Sequence, residues 1–419
     1  MKFEAIKTFL FENQGTRQTV LRNGIWRAFA LGFGKLVRLF VILIAARWLG
    51  PNEFGIYSYA LSIASLVFIF SDWGINLLFT RDSQHEDPQA VFNTAISAKL
   101  IISGLSLVAA CFLPFFISGL SIYAFLLVAV TLFISNIREL YVSAMIAKQR
   151  SELEGYASII EGAANIILLF ALLYGFRTSA GFAVFNLATV IVAVTTSVFL
   201  VRKHLGLRIY KPKSKTVSAL LRSGFPLALF GIAGYLFFSA DQLFIKHFLG
   251  TESVGYYALA TRAIYAAMIL PSLFVSVLFP VLSRLVTNRQ RLSEVFYKSL
   301  GSLFVGGVIV AGLIVVLRQF ILLAAPQFTL SLPIVSVLSW ILVFMFPSVL
   351  LDNVLVALNK QKQDFFLTLG ASILNVILNI IWIPKYGVLG AAYASILSQA
   401  LNTIVTFVYA KSVLKKIQD

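Results

Sequence analysis

The sequence predicts an all-α, polytopic membrane protein: about twelve transmembrane helices in two six-helix bundles related by a pseudo-twofold axis along the membrane normal. Three observations carry that prediction. Of the 419 residues, 59% are hydrophobic and only 12% are charged, a balance that soluble domains do not show. Runs of about 20 mostly apolar residues recur along the whole chain, each long enough to cross about 30 Å of hydrocarbon as a helix. Finally, LGPNEFGIYSYA at 49–60 is written again as LGTESVGYYALA at 249–260, with Leu49/Leu249, Gly50/Gly250, Gly55/Gly255, Tyr57/Tyr257 and Ala60/Ala260 identical at an offset of 200.

In chain order the apolar runs fall at 24–48, 55–79, 91–117, 121–146, 154–174, 180–201, 218–247, 255–283, 297–322, 332–358, 364–384 and 388–411. Ahead of the first, Lys2, Glu4, Lys7, Glu12, Arg17 and Arg22 are scattered through a segment with no short apolar core and cleavage site, so it does not read as a cleaved signal peptide. The most basic loop, VRKHLGLRIYKPKSKTVSALLR at 201–222, divides the runs six and six. The expected lobes are therefore 1–207 and 208–419.

Both copies of the repeated hairpin join the first and second span of their lobe. A second pair supports the repeat: 147–175 aligns with 359–387 at an offset of 212, matching Lys148/Lys360, Gln149/Gln361, Tyr174/Tyr386 and Gly175/Gly387. Six spans return the chain to its starting side, so two such halves are parallel repeats. Pro226, Pro271, Pro280, Pro333 and Pro347 fall inside spans and are expected to bend them.

Basic residues set the orientation. Of 34 Lys and Arg, 24 fall in segments on the side of the N-terminus, and only Arg47, Arg177, Lys246, Arg318 and Lys385 fall on the opposite side. By the positive-inside rule both termini face the cytoplasm. The net charge of +17 then faces anionic lipid headgroups and calls for no nucleic acid. The single cysteine, Cys111, and the scattered His85, His204 and His247 offer neither a disulfide nor metal-ligand spacing. No phosphate-binding Gly-rich loop is present, so ATP hydrolysis, a catalytic residue and a cofactor are not expected.

Five bases remain within spans: Lys35, Arg38, Lys99, Arg138 and Arg262. Each costs about 2.5–3.5 kcal/mol at mid-span unless it faces protein or water. Lys35 and Arg38 lie about 60° apart on a helix and Arg27 falls within about 20° of Arg38, making one face of the first span a cationic stripe. Arg27, Lys35, Arg38 and, from the other half, Arg262 are the candidate contacts for an anionic cargo, since the planar guanidinium suits phosphate oxygens. Internal ion pairing or snorkelling to the interface is the competing role for these bases. Lys99, Arg138 and Glu139 read as structural. Among intramembrane acids, Asp72, Asp241 and Asp352 are candidates for coupling a proton or sodium ion to movement, with helix capping or lobe packing as the alternative for Asp241 and Asp352 and an ion pair with Arg81 as that for Asp72.

The carriers of a wider likeness are LGPNEFGIYSYA, SDWGINLLFTRD, ADQLFIKHFLGTESVGYYALATRA, the ALNKQK turn and NIIWIPKYGVLGAAYASILSQ. In this order over twelve spans the chain resembles the polysaccharide flippases, the Wzx-type O-antigen transporters of the superfamily that also holds multidrug exporters and the lipid II flippase. The resemblance implies a V-shaped pair of six-helix bundles that moves an undecaprenyl-diphosphate-linked oligosaccharide between leaflets of the bacterial cytoplasmic membrane by alternating access. It also implies coupling to a cation gradient, polysaccharide-assembly proteins as partners, and cavity bases that recognise the diphosphate. Carried over, that recognition falls on Lys35, Arg38 and Arg262, with Arg27 near the inner mouth. The extra spans that form the lipid groove of the lipid II flippase are absent, which weighs against a peptidoglycan precursor. The alternatives are a multidrug or cation antiporter, which should display acids in place of the basic stripe, and a membrane-embedded polysaccharide polymerase, which should carry a long outer loop.

Overall fold

The computed structural model describes residues 16–117, 119–210, 214–285, 289–418. The N-terminal residues 1–15 and positions 211–213 of the basic loop lie outside the described residues. The fold is helical throughout: α1 (Thr16–Phe68), α2 (Ile75–Asp82), α3 (Pro88–Phe112), α4 (Ile122–Ala147), α5 (Ser151–Leu168), α6 (Ser179–Leu205), α7 (Ser214–Leu249), α8 (Thr251–Ala266), α9 (Ile269–Leu285), α10 (Arg289–Leu317), α11 (Phe320–Ala324), α12 (Ser331–Leu338), α13 (Leu342–Ala357), α14 (Gln361–Tyr386) and α15 (Val388–Gln418).

Among the described residues ten helical segments are long and apolar enough to span a bilayer. One of them, Gly24–Asp82, has 59 residues, nearly three times the about 20 that one crossing needs. It holds the first two expected spans, broken at Gly50 (φ 72°, ψ 174°). α7, the expected seventh span, is a 36-residue helix. Large apolar side chains such as Leu105, Phe116, Ile167, Phe199, Ile309, Val316 and Val408 stand exposed, which in water would be prohibitive and in hydrocarbon is favourable. This is a multi-pass membrane protein.

Two spans depart from an uninterrupted helix. The second span breaks at Asp72–Gly74, where Trp73 (φ 48°) and Gly74 (φ 67°) are left-handed. The Trp73 indole donates to the Leu221 carbonyl at 2.7 Å and a Cβ on Gly224 would collide with the Trp73 carbonyl, so tertiary anchoring overrides helix continuation. The tenth span is divided by a tighter 3₁₀ turn at Ser339–Ile341, upstream of Pro347 inside α13. Pro347 leaves the Val343 carbonyl without its helical N–H partner, inside α13 and downstream of that turn.

The chain falls into two compact units, Met1–Val41 with Ile63–Gly231, and Ile42–Ser62 with Ile232–Asp419. Unit 1 has a core of Phe79, Phe92, Tyr141, Met145 and Leu153. Unit 2 has one of Tyr257, Phe296, Leu338, Phe346 and Leu350.

Unit 2 contains both copies of the repeated hairpin, and they meet. Gly50 (φ 72°) and Gly250 (φ 87°) share one left-handed conformation, which glycine reaches without the Cβ penalty. A Cβ on Gly55 would collide with the Thr251 carbonyl oxygen, and a Cβ on Gly255 with that of Pro51. Pro51/Thr251 and Gly55/Gly255 correspond at the offset of 200, so the contact is reciprocal: two equivalent turns cross backbone to backbone about a local twofold.

The second repeat is also structural, in a different register. Gln149 (φ 54°) and Asn359 (φ 57°) are the left-handed residues of two identical turns. The bonds Lys148 N to Ala144 O and Arg150 N to Met145 O recur as Leu358 N to Val354 O and Lys360 N to Leu355 O. The turns correspond at an offset of 210, two residues from the sequence alignment at 212. α14 is longer than its counterpart, which ends α5 in a π-turn at Leu169–Leu173, so the offset grows along the helix.

Candidate functional site

In unit 1 the rotation of α1 about its axis is fixed by packing. A Cβ on Gly155 would lie 2.5 Å from the Trp26 ring, and one on Gly162 would lie 2.6 Å from the Phe33 ring. Trp26 meets Tyr156 edge to face at 5.6 Å, and buried Arg22 reaches the Gln149 carbonyl at 3.4 Å and Glu152 at 3.7 Å. With that face held against α5, the face carrying Arg27, Lys35 and Arg38 is exposed on all three counts. Three exposed cations on one membrane helix are costly against acyl chains unless they reach water, an anion or the headgroup interface.

The Lys99 ammonium is fully buried. It donates to Asn76 Oδ1 at 2.8 Å and pairs with Asp72 at 3.3 Å and Glu139 at 3.7 Å. Those acids are 44% and 57% exposed, so two half-solvated carboxylates share one buried base. Arg138 closes on Glu161 at 2.5 Å. These contacts fit the structural role expected for Lys99, Arg138 and Glu139, and they give Asp72 a cationic partner. Lys99→Met should lower the thermal midpoint of the detergent-solubilised protein, by less than the about 3–5 kcal/mol of a fully buried pair because water still reaches the acids. Adding Glu139→Gln to Lys99→Met should recover part of the loss, read as the coupling term of a double-mutant cycle.

In unit 2, Arg262 donates to Ser58 Oγ at 3.2 Å and lies over the rings of Phe54 (4.9 Å) and Tyr57 (5.8 Å). It thus ties α8 to the first copy of the repeated hairpin. Asp352 is half-buried on α13.

Asp241, on α7, is buried and accepts from three directions: Tyr257 Oη at 2.5 Å, Asn379 Nδ2 at 2.6 Å and Ser395 Oγ at 2.7 Å. Asn379 also donates to Asn375 Oδ1 at 3.0 Å, while its own Oδ1 is buried without a hydrogen-bond partner among the described residues. No Lys, Arg or His among the described residues pairs with Asp241. A buried carboxylate without a basic partner needs a compensating positive charge. One carboxylate, two amide oxygens and a hydroxyl are hard oxygen donors. The single charge fits a proton or one monovalent cation, and among the described residues no cluster of three or more His, Cys, Asp or Glu offers a polyvalent site.

The sequence pointed to Asp241 but not to its neighbours. Tyr257 belongs to the repeated hairpin, and Asn379 and Ser395 to the stretch NIIWIPKYGVLGAAYASILSQ, but the sequence assigned none of them, nor Asn375, a part in binding. The available signal was the Asn pair at i, i+4 inside the apolar stretch GASILNVILNIIW, one face of one helix.

This helical architecture is shared with solved membrane proteins. Its similarity to the solved lipid II flippase MurJ in an inward closed conformation has a TM-score of 0.73 at 17% identity, covering 94% of this chain and 90% of that one. The chain belongs to the polysaccharide biosynthesis protein family, whose profile matches residues 20–286. Curated relatives include the capsular polysaccharide biosynthesis protein CapF of Staphylococcus aureus, 21% identical over 90% of this chain and 96% of the relative. Another is the probable low-salt glycan biosynthesis flippase Agl15 of Haloferax volcanii, 24% identical over 91% and 81%.

Proposed function

We propose that this protein is a flippase for a lipid-linked polysaccharide precursor, an undecaprenyl-diphosphate-linked oligosaccharide, carried from the inner to the outer leaflet of a bacterial cytoplasmic membrane by alternating access. The observation that carries this reading is the exposed basic face of α1, Arg27, Lys35 and Arg38, in a polysaccharide biosynthesis family with a relative named as a probable glycan biosynthesis flippase. Arginine forks complement diphosphate oxygens, so Lys35 and Arg38 hold the diphosphate, with Arg27 toward the inner mouth and Arg262 contributing from the eighth span. Both termini lie in the cytoplasm, where the basic loops meet anionic lipid and polysaccharide-assembly proteins that supply the cargo.

Transport is coupled to a proton or sodium ion. Of the three candidate acids, Asp241 has the surroundings that suit an ion, because Asp72 is paired with Lys99 and Asp352 is half-exposed. The test is Arg38→Ala in a strain deleted for the gene. A charge-assisted hydrogen bond of about 1.5–3 kcal/mol corresponds to a loss of surface polysaccharide of at least about tenfold. The protein should remain in the membrane and the lipid-linked intermediate should accumulate inside. Full export by Arg38→Ala would remove the diphosphate assignment.

A further inference from the structure

We propose that unit 2 contains a hydrated seam between α14 and α15, through which the small cation held at Asp241 exchanges with water at the α13–α14 turn; this rests on the reading of Asp241 as the coupling group.

α14 carries Asp364, Thr368, Ser372, Asn375 and Asn379, and α15 carries Ser395, Ser398, Asn402 and Thr406. At about 100° per residue each set occupies about 80° of its helix surface, so each is one polar stripe. The two helices pack along one another and are joined at Gly387, which makes them antiparallel. Their stripes meet at one end, where Asn379 and Ser395 both donate to Asp241. Each step from Asn379 toward Asp364 is therefore matched by a step from Ser395 toward Thr406.

The stripes are turned inward, the reverse of a water-soluble helix. Ser372, Asn375, Asn379, Ser395, Ser398 and Thr406 are buried, whereas Ile373, Ile377, Ile380, Leu401, Ile404 and Val408 stand exposed. Among the described residues, twelve buried side-chain polar atoms lack a hydrogen-bond partner, and six of them belong to this row: Asn379 Oδ1, Asn375 Nδ2, Ser398 Oγ, Asn402 Oδ1, Thr406 Oγ1 and Asp364 Oδ1.

Polar residues between membrane helices commonly serve as interhelical glue, but glue is paired. A buried polar atom left unpaired carries a desolvation cost, and a row of six is sustained only where water or an ion reaches them. The row holds hydroxyls and amides with no fixed charge between Asp241 and Asp364. Such a lining solvates a small cation without trapping it. At the far end Asp364 and Asp352 flank the turn that also carries Lys360 and Lys362, so the path ends in a charged, water-facing mouth with no net charge.

The test uses the full chain in proteoliposomes, with exposed Cys111 replaced by Ser. Ser398→Cys, Asn402→Cys and Thr406→Cys are compared with Ala394→Cys, a buried position off the stripe on the same helix. The probe is silver ion, a thiol-reactive monovalent cation, and unreacted thiols are counted with a maleimide dye after unfolding. The three seam positions should react at least about tenfold faster than Ala394→Cys, as access governs thiol reactivity. With nitrate as the only anion, since chloride would precipitate silver, slowing by sodium nitrate relative to choline nitrate identifies sodium as the ion, and equal rates in both salts identify the proton; either result with fast seam labelling supports the seam. Uniformly slow labelling at all four positions overturns it. Failure of the coupling reading shows separately, as gradient-driven transport that survives Asp241→Asn.

Discussion

Asp241→Asn abolishes the response of transport to an imposed cation gradient while leaving a folded protein. The carboxylate accepts from Tyr257, Asn379 and Ser395. An asparagine of the same shape still accepts from Asn379 through its oxygen, and its amide hydrogens point at two hydroxyls that rotate to accept. The hydrogen-bond count is nearly conserved, so the stability cost is about 1 kcal/mol. The charge is not conserved. Without it the site no longer compensates a monovalent cation, and an amide does not exchange a proton in the working range. If the ion is sodium, its binding is lost; if it is a proton, the protonated state is mimicked permanently. In vesicles, flipping of the lipid-linked oligosaccharide driven by sodium or proton gradients should fall to the gradient-free level, with the thermal midpoint lowered by only a few degrees. Gradient-dependent transport at the unmodified level in this variant excludes Asp241 as the coupling group.

Asp241 was legible in the sequence because a carboxylate in hydrocarbon stands out by its cost. Its partners were not, because tyrosine, asparagine and serine are tolerated in spans and only the fold brings residues 241, 379 and 395 together, across 138 and 154 positions. The helical spans were legible for the reason that the bilayer fixes their length. The repeat was legible at the hairpin, where glycine is required at Gly50 and Gly250 by their positive φ. At the α4–α5 and α13–α14 turns the identities Lys148/Lys360 and Gln149/Gln361 suggested an offset of 212, while the backbone repeats at 210. Exposed turn side chains recur cheaply; the left-handed residue, Gln149 or Asn359, is what the turn geometry constrains. The break at Asp72–Gly74 was hidden because it depends on Leu221 and Gly224, far along the chain.

Gly55→Ala and Gly255→Ala are expected to destabilise the protein more than any other single added methyl among glycines of the two repeated hairpins. At both positions the new Cβ meets a carbonyl of the opposite turn, Thr251 or Pro51, and backbone cannot swing aside as a side chain does. The two turns must separate, and separation loosens what is built on the crossing: the Arg262 bond to Ser58, its stacking on Phe54, and the edge contact of Phe54 with Phe328 at 5.9 Å. Overpacking costs about 1–3 kcal/mol where side chains adjust, and this site lies at or above the upper end. Gly50→Ala meets open space but keeps φ at 72°, costing about 1–2 kcal/mol for a left-handed L-residue. Gly104→Ala, in α3 with nothing within 4 Å, should be neutral or stabilising by up to about 1 kcal/mol. The order of thermal midpoints in one detergent should therefore be Gly104→Ala highest, then Gly50→Ala, then Gly55→Ala and Gly255→Ala together. The double variant Gly55→Ala/Gly255→Ala should cost less than the sum of its singles, because the first methyl has already parted the backbones that the second would strike. Additive losses, or a Gly55→Ala as stable as Gly104→Ala, would show that the two repeats do not share one crossing.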